Sequence, residues 1–370
     1  MSPAWDELLK HRPYGLQEPE KQKYFLPALR ESLCHHYQNC EPFRRLCDKR
    51  RYDPEHSPGS AAEAPFLPVR VFKRLALRSV PDGEIVRVVN SSATTSQIPS
   101  RMALDQVTRN RQMRVLAGLM TELLGVTRRP FIVLDCPPAP ESHDSAELAG
   151  RIAGLRGYLM AASETHYVLE YSDGKPVLDV PRLEALLNKF SLSQTPFCLL
   201  AYTYILYQHV LRPLQAAGFQ KQLPKNSFAL HFGGWKKLAA QAVDKATLNQ
   251  AALDVFGLPQ AAVRDIYGFT EQLGLIYPDD EEGFKRVPAY AEVLVRNPRT
   301  LELAPRGEVG LLEFVTPLPY SYPGVALLLD DLGRLVPGKD GMRFEVVGRV
   351  KDAEVRGCGE TLPKRVYETH

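Results

Sequence analysis

The chain has 370 residues, 44% of them hydrophobic and 24% charged, with a formal net charge of +3. That length can bury a large core and suits one large α/β domain or two medium ones, in proportions ordinary for a soluble globular protein. The small net charge and the lack of a long basic run argue against a nucleic-acid-binding protein.

The first residues, MSPAWDELLKHRPYG, are charged and hold no apolar run of the kind a secretory leader needs. Six cysteines in that setting fit free thiols in a reducing, cytoplasmic compartment. From Trp5 to Lys49 apolar residues recur at three and four positions (Phe25, Leu26, Leu29, Leu33), which predicts helix. Cys34, Cys40 and Cys47 lie in this stretch beside His35 and His36. They lack the paired spacing of a zinc site, so they read as structural. The stretch from Tyr52 to Pro65, rich in Pro, Gly, Ser and Ala, reads as a loop. APFLPVRVFKRLAL follows and ends in a short helix or strand. Pro81-Asp82-Gly83 then turns into a strand, Glu84 to Asn90.

SSATTSQIPSRMALD (Ser91 to Asp105) crowds small hydroxyl residues into a turn between that strand and a long helix, Leu104 to Leu124. Such a turn can aim backbone N–H groups and hydroxyls at phosphate oxygens. It lacks the Gly-Lys-Ser/Thr of a P-loop, and a capped Ser/Thr-rich loop fits it equally. Phe131 to Cys136 reads as a short apolar strand, and helices fit Ser145 to Ala162 and Val180 to Phe190. FCLLAYTYILYQHVL (Phe197 to Leu211), too short to span a bilayer, reads as a buried helix. Cys136 and Cys198 sit in apolar runs and read as core, and His166 and His231 as core or pocket residues. SFALHFGGW predicts a strand ending at a Gly-Gly turn, KATLNQAALDVFG a helix stopped by Gly257, and VRDIYGF another strand.

In YGFTEQLG (Tyr267 to Gly274) an aromatic ring can stack on a purine, Thr270 can hold a phosphate or carboxylate oxygen, and Glu271 can bind Mg²⁺. A capped strand-to-helix turn fits the same residues. From Tyr290 on, short strands dominate: AEVLVRN, VGLLEFVT, GVALLLDDLG and RFEVVGRV. LLLDDLGRL places an Asp pair at a strand end, suited to ribose hydroxyls or to a plain β-turn. Helix–strand alternation followed by a β-rich end predicts a large α/β fold with a β-rich subdomain.

The order and spacing of these segments resemble the adenylate-forming superfamily of acyl-CoA synthetases, luciferases and peptide-synthetase adenylation domains. They most resemble its acyl-protein synthetase (LuxE-type) family, from bacterial luminescence fatty-acid reductase systems. FLPVRVFKRLAL, NSSATTSQIPSRMALD, HFGGWKKL, IYGFTEQLG and the RGCG tail carry the likeness over nearly the whole chain. The resemblance implies ATP and Mg²⁺ as cofactors and assigns the ATP phosphates to Ser91, Ser92, Thr94, Thr95 and Ser96. Ala93 stands where that loop usually has glycine. It puts Gly233 and Gly234 along the adenine and acyl pocket and Tyr267 on the adenine. Thr270 would meet the carboxylate or α-phosphate, and Glu271 the Mg²⁺. Asp331 would bind the ribose, with Asp330 as its alternative. Arg349 would reach the ribose too, and Lys351 would sit at a hinge.

Superfamily members usually continue past the hinge into a domain of roughly a hundred residues, which carries a catalytic lysine. Here the resemblance implies a catalytic domain over 1–348, β-rich from about 288, with that small domain essentially absent. A truncated, mobile tail, 349–370, would take its place. Lys364 does not match the usual lysine's motif. Cys358 stands where acyl-protein synthetases carry their acyl acceptor. The expected activity is activation of a carboxylic, fatty, acid to an acyl-adenylate and transfer to Cys358 as a thioester. A tethered thiolate attacks at high effective molarity, Gly357 and Gly359 ease its approach, and Arg356 favours the thiolate. An acyl-reductase, acyltransferase or carrier-protein partner would collect the group. Two other readings are a ligase that passes the acyl group to CoA or a carrier-protein thiol, and a nucleotide-binding scaffold without catalysis.

Overall fold

The fold is taken from a computed structural model, which describes residues 3–56, 58–91, 99–138, 154–172, 175–235, 240–339, 341–350 and 367–369. The chain divides into two compact units. One holds residues 1–119, 269–275 and 286–369, and the other essentially 120–268 and 276–285.

The first unit opens with helices α1 (Pro3–Leu8), α2 (Glu20–Asn39) and α3 (Glu41–Lys49). The predicted helical stretch is thus broken, and the break contains Pro13 and Pro19, which remove backbone donors. α2 buries Phe25, Leu29 and Leu33 of the four residues its periodicity selects, and leaves Leu26 half-buried. His36 on the same face is fully buried. It bonds Ser79 Oγ at 2.7 Å and Pro319 O at 3.1 Å, and burial holds its pKa well below the usual histidine range. Then come β1 (Leu67–Pro68), α4 (Val71–Arg74), and an antiparallel pair, β2 (Ile85–Asn90) and β3 (Arg101–Asp105). The hydroxyl turn therefore joins two strands rather than a strand and a helix. α5 (Gln106–Leu124) starts directly after β3, with Thr108 N–H donating to Asp105 Oδ1 at 2.8 Å.

The second unit is built on a twisted sheet of β4 (Arg129–Val133), β5 (Ala162–Tyr167), β8 (Cys198–Tyr202), β9 (Phe228–Phe232), β10 (Val263–Tyr267) and β11 (Tyr277–Pro278). The order is β11-β10-β9-β8-β4-β5, parallel except for β11. A small hairpin, β6 (Leu169–Ser172) and β7 (Lys175–Leu178), precedes helix α6 (Val180–Leu192), and α7 (Lys245–Phe256) precedes β10. The expected buried helix at Phe197 to Leu211 is corrected here. Its first half is the central strand β8, buried at every position, and only from Thr203 does the chain coil. A strand covered on both faces is apolar throughout and has no alternation to betray it. Gly257 caps α7 in the left-handed region, φ 63°, as its sequence predicts.

β12 (Lys285–Arg286) leads back to the first unit. There β13 (Glu292–Arg296), β14 (Gly310–Val315), β15 (Ala326–Gly338) and β16 (Gly341–Val350) form an antiparallel meander in the order β12-β16-β15-β14-β13. β1 pairs in parallel with the first residues of β15, Leu67 with Leu327 and Pro68 with Leu328. β16 pairs with β15 further along, from Asp331 onward. β17 (Tyr367–Thr369) pairs with Gly348–Val350 of β16. The start and end of the expected tail thus belong to a sheet. Lys351, Cys358 and Lys364 lie outside the described residues.

Candidate active site

In the first unit the hydroxyl loop is closed at its neck. Ser91 N–H donates to Ser100 O at 2.9 Å, and Ser100 N–H donates to Ser91 Oγ at 2.8 Å. Of the five predicted phosphate-loop residues only Ser91 is described. Ser92, Thr94, Thr95 and Ser96 lie outside the described residues. The Ser100 hydroxyl is buried and makes no hydrogen bond of standard geometry.

Thr270 and Glu271 sit on a single 3-10 turn, Thr270–Gln272, that follows extended Phe269. The turn is held from three sides. Tyr322 Oη donates to Glu271 O at 2.9 Å, and the Gln272 amide donates to Phe314 O at 3.2 Å and Gly324 O at 2.9 Å. Gly274, with φ +94°, lets the turn pass against α5, since a Cβ there would stand 2.6 Å from Gln112 Cα. The Glu271 carboxyl is only 6% exposed. Burial raises its pKa, while the Ser100 hydroxyl, the Glu271 backbone, Lys73 and Arg349 pull it the other way. Tyr322, fully buried, has its own pKa raised by burial.

Asp331 and Arg349 are register partners across β15 and β16. Arg349 reaches both acidic residues at 3.9 Å, Nε toward Asp331 Oδ1 and Nη2 toward Asp330 Oδ2. Asp330 has a closer cation, Arg70 Nε at 2.7 Å. Asp330 thus lies between Arg70 and Arg349, while Asp331 is the register partner of Arg349.

In the second unit Gly233 and Gly234 follow β9 with φ of 82° and 57°, exposed and in the left-handed region. Tyr267 ends β10, paired with Tyr277 of β11, their rings 6.4 Å apart. The same strand contributes Asp265 to a partly buried charge cluster. Lys285 Nζ meets Asp265 Oδ2 at 2.5 Å and Asp279 Oδ1 at 3.0 Å, and Lys245 Nζ meets Asp279 Oδ2 at 2.7 Å. His231 Nδ1 lies 3.0 Å from Thr203 Oγ1 and 3.5 Å from Asp265 Oδ1, and burial lowers its pKa. His231 is therefore a satisfied buried residue, as its sequence setting predicts. His166 pairs with Glu164 at 2.9 Å.

Among the described residues the cysteines form no disulfide: Cys40, Cys47, Cys136 and Cys198 are buried, and burial pushes Cys47 up to about 12. No group of three or more His, Cys, Asp or Glu that could hold a metal occurs among the described residues.

The first unit thus holds Ser91, Glu271, Asp331 and Arg349, four of the residues singled out from the sequence. It adds Arg70, Lys73, Ser100 and Tyr322, which sequence reasoning did not single out. Arg70 and Lys73 belong to FLPVRVFKRLAL, a segment that carried the resemblance with no residue assigned. Two cations beside an apolar run were the available signal.

The model of the family described as acyl-protein synthetase, LuxE, matches residues 2–366. A long-chain-fatty-acid–luciferin-component ligase of Vibrio harveyi is 24% identical over 333 residues, 89% of this chain and 84% of the relative. Its counterpart in Aliivibrio fischeri is 24% identical over 354 residues, 93% and 89%. Among solved structures, an open conformation of 2-hydroxyisobutyryl-CoA ligase in complex with 2-HIB-AMP and CoA superposes with a TM-score of 0.64. The identity is 14%, over 91% of this chain and 76% of that one. The same ligase in its postadenylation state gives 0.62 at 15% identity, over 90% and 69%. At these identities the structural likeness shows a shared fold. The match over residues 2–366 shows that the chain belongs to the acyl-protein synthetase, LuxE, family of ligases.

Proposed function

We propose that the protein uses ATP to activate a fatty acid as an acyl-adenylate and then takes the acyl group onto Cys358. The observation that carries this reading is the first unit's convergence of three separate motifs. The hydroxyl-loop neck at Ser91 and Ser100, the buried carboxylate of Glu271, and the Asp331–Arg349 strand pair fall together there. The relatives' names, long-chain-fatty-acid–luciferin-component ligases, support a long-chain acid as substrate.

In the first step a carboxylate oxygen bonds the ATP α-phosphorus and pyrophosphate departs with the electrons of the broken P–O bond. Ser91 would hold a phosphate oxygen through its hydroxyl, its N–H being bound to Ser100 O; Ser92, Thr94, Thr95 and Ser96 would do so through N–H and O–H donors, and Thr270 would hold the carboxylate or α-phosphate. Asp331 would accept from the ribose hydroxyls, with Arg349 fixing the edge of the sugar site. Tyr267 would stack on adenine, and Gly233 and Gly234 allow close backbone approach beside it.

Glu271 suits Mg²⁺: it is a hard oxygen donor, and a single carboxylate leaves the other positions to phosphate oxygens and water, the usual arrangement for this ion. Bound there, the ion would neutralise charge on the phosphates. In the second step the Cys358 thiolate attacks the acyl carbonyl, a thioester forms and AMP leaves. A reductase, an acyltransferase or a carrier protein would then accept the acyl group.

The test is acid-dependent ATP–pyrophosphate exchange. Wild-type protein should exchange with long-chain acids, and Glu271→Ala should lose exchange by on the order of a hundredfold. Near-normal exchange in a folded Glu271→Ala protein would sink the assignment.

A further inference from the structure

Thr108 links two motifs of the first unit that are far apart in sequence. It lies in the first turn of α5, and its N–H donates to Asp105, the last residue of β3, the strand that leaves the hydroxyl loop. Its fully buried hydroxyl bonds the loop between β14 and β15. Tyr320 N–H and Ser321 N–H donate to Thr108 Oγ1 at 3.1 and 3.0 Å, and Ser321 Oγ lies 3.0 Å from the same atom. The two amides fill the lone pairs of Oγ1, so the hydroxyl proton goes to Ser321 Oγ. Every hydrogen-bonding position of this side chain is thus taken by the loop.

The same loop is held from α2. Pro319 O can only accept, so His36 donates to it through Nε2, and the neutral ring takes the Ser79 hydroxyl proton on Nδ1. Ser79 N–H in turn donates to Ser321 O at 2.8 Å, and His35 Nε2 donates to Tyr320 O at 2.9 Å. The far end of the loop holds the Glu271 turn, through Tyr322 Oη on Glu271 O and Gly324 O on the Gln272 amide. That turn also closes on α5, Gly274 against Gln112, four residues and so one helical face along from Thr108. A continuous path therefore runs from β3 through Asp105, Thr108, Ser321 and Tyr322 to Glu271.

We propose that Thr108 is a positioning residue, which sets the Glu271 turn against the strand leaving the hydroxyl loop. It thereby fixes the spacing between the carboxylate suited to Mg²⁺ and the donors suited to the ATP phosphates. This rests on the adenylation reading above. A buried hydroxyl whose bonds all go to fixed protein partners holds that spacing before the nucleotide arrives.

Thr108→Val keeps the shape and removes the hydrogen bonds, while Thr108→Ser keeps the hydroxyl. Both are compared with wild type well below their melting temperatures. Four measurements apply: ATP–pyrophosphate exchange against Mg²⁺ concentration, calorimetric binding of ATP with and without Mg²⁺, amide hydrogen exchange of the free protein, and acyl loading from supplied acyl-adenylate. Thr108→Val should need about tenfold more Mg²⁺ for half-maximal exchange and lose most of the ATP affinity that Mg²⁺ adds. Its amides at 318–322 and 270–274 should exchange faster, and loading from acyl-adenylate should stay normal. Thr108→Ser should match wild type in all four. A lower melting temperature with unchanged Mg²⁺ dependence would reduce Thr108 to a structural residue and overturn the assignment. So would equal losses in Thr108→Ser, or a matching loss of loading from acyl-adenylate. If Thr108→Val does not fold, Tyr322→Phe breaks the path at its last bond and should show the same Mg²⁺ shift; wild-type Mg²⁺ dependence there would overturn the path. A wild-type protein with no acid-dependent exchange would overturn the adenylation reading itself, and this assignment with it.

Discussion

Glu271 meets two opposed demands. A carboxyl buried to 6% exposure resists ionisation, yet binding a cation requires the ionised form. A carboxyl whose pKa rises on folding leaves stability intact below its ordinary pKa and loses it as pH climbs through the raised value. Glu271→Gln should therefore raise Tm by about 1–2 °C at pH 8 and change it little at pH 4, while exchange activity collapses. Thermal melts at the two pH values check this, and an equal Tm shift at both would count against it. Gly274 is the second residue whose environment dictates its identity. With φ +94° and the Gln112 backbone in the way, Gly274→Ala should cost about 2–4 kcal/mol, seen as a lower urea midpoint. The sequence marked both residues as parts of YGFTEQLG. Only coordinates show that Glu271 is buried and that Gly274 clears α5.

At the scale of elements, the Lys285 cluster ties the ends of β10 and β11 together. Burial alone would raise the Asp265 pKa, but Lys285 and His231 outweigh it and hold the carboxyl below its usual range. A carboxyl depressed in this way adds stability above its ordinary pKa and loses it as pH falls. The urea midpoint should accordingly fall between pH 5 and pH 2. Lys285→Met leaves Asp265 and Asp279 without that cation and should cost about 3–5 kcal/mol at pH 7, with a flatter acid limb. A wild-type acid limb retained in Lys285→Met would remove the cluster from the account. These partners were not legible beforehand, because Asp265, Asp279 and Lys285 form no motif and meet only through the sheet. Strands with one exposed face, or with turn residues beside them, were legible: Ile85–Asn90, Phe228–Phe232 and Val263–Tyr267 fall where expected. β8 was not, because full burial erases alternation. β3 was not, because its five residues run straight into a helix.

At the scale of the molecule, the parallel sheet of the second unit and the meander of the first are what helix–strand alternation and a β-rich end lead one to expect. The contribution of β1 to that meander was hidden, since two residues carry no periodicity. No helix among the described residues is long and apolar enough to cross a membrane. The functional reading divides the chemistry between residues that build the mixed anhydride and one thiol that attacks it. A serine hydroxyl is scarcely ionised at neutral pH, so Cys358→Ser should stop the second step alone. The most direct measurement is intact mass with peptide mapping, after incubation with ATP, Mg²⁺ and long-chain acids. Wild-type protein should gain one hydroxylamine-sensitive acyl group on the peptide holding Cys358, and Cys358→Ser should gain none while keeping full pyrophosphate exchange. An acyl group on another cysteine, or no adduct alongside transfer to CoA, would contradict the account.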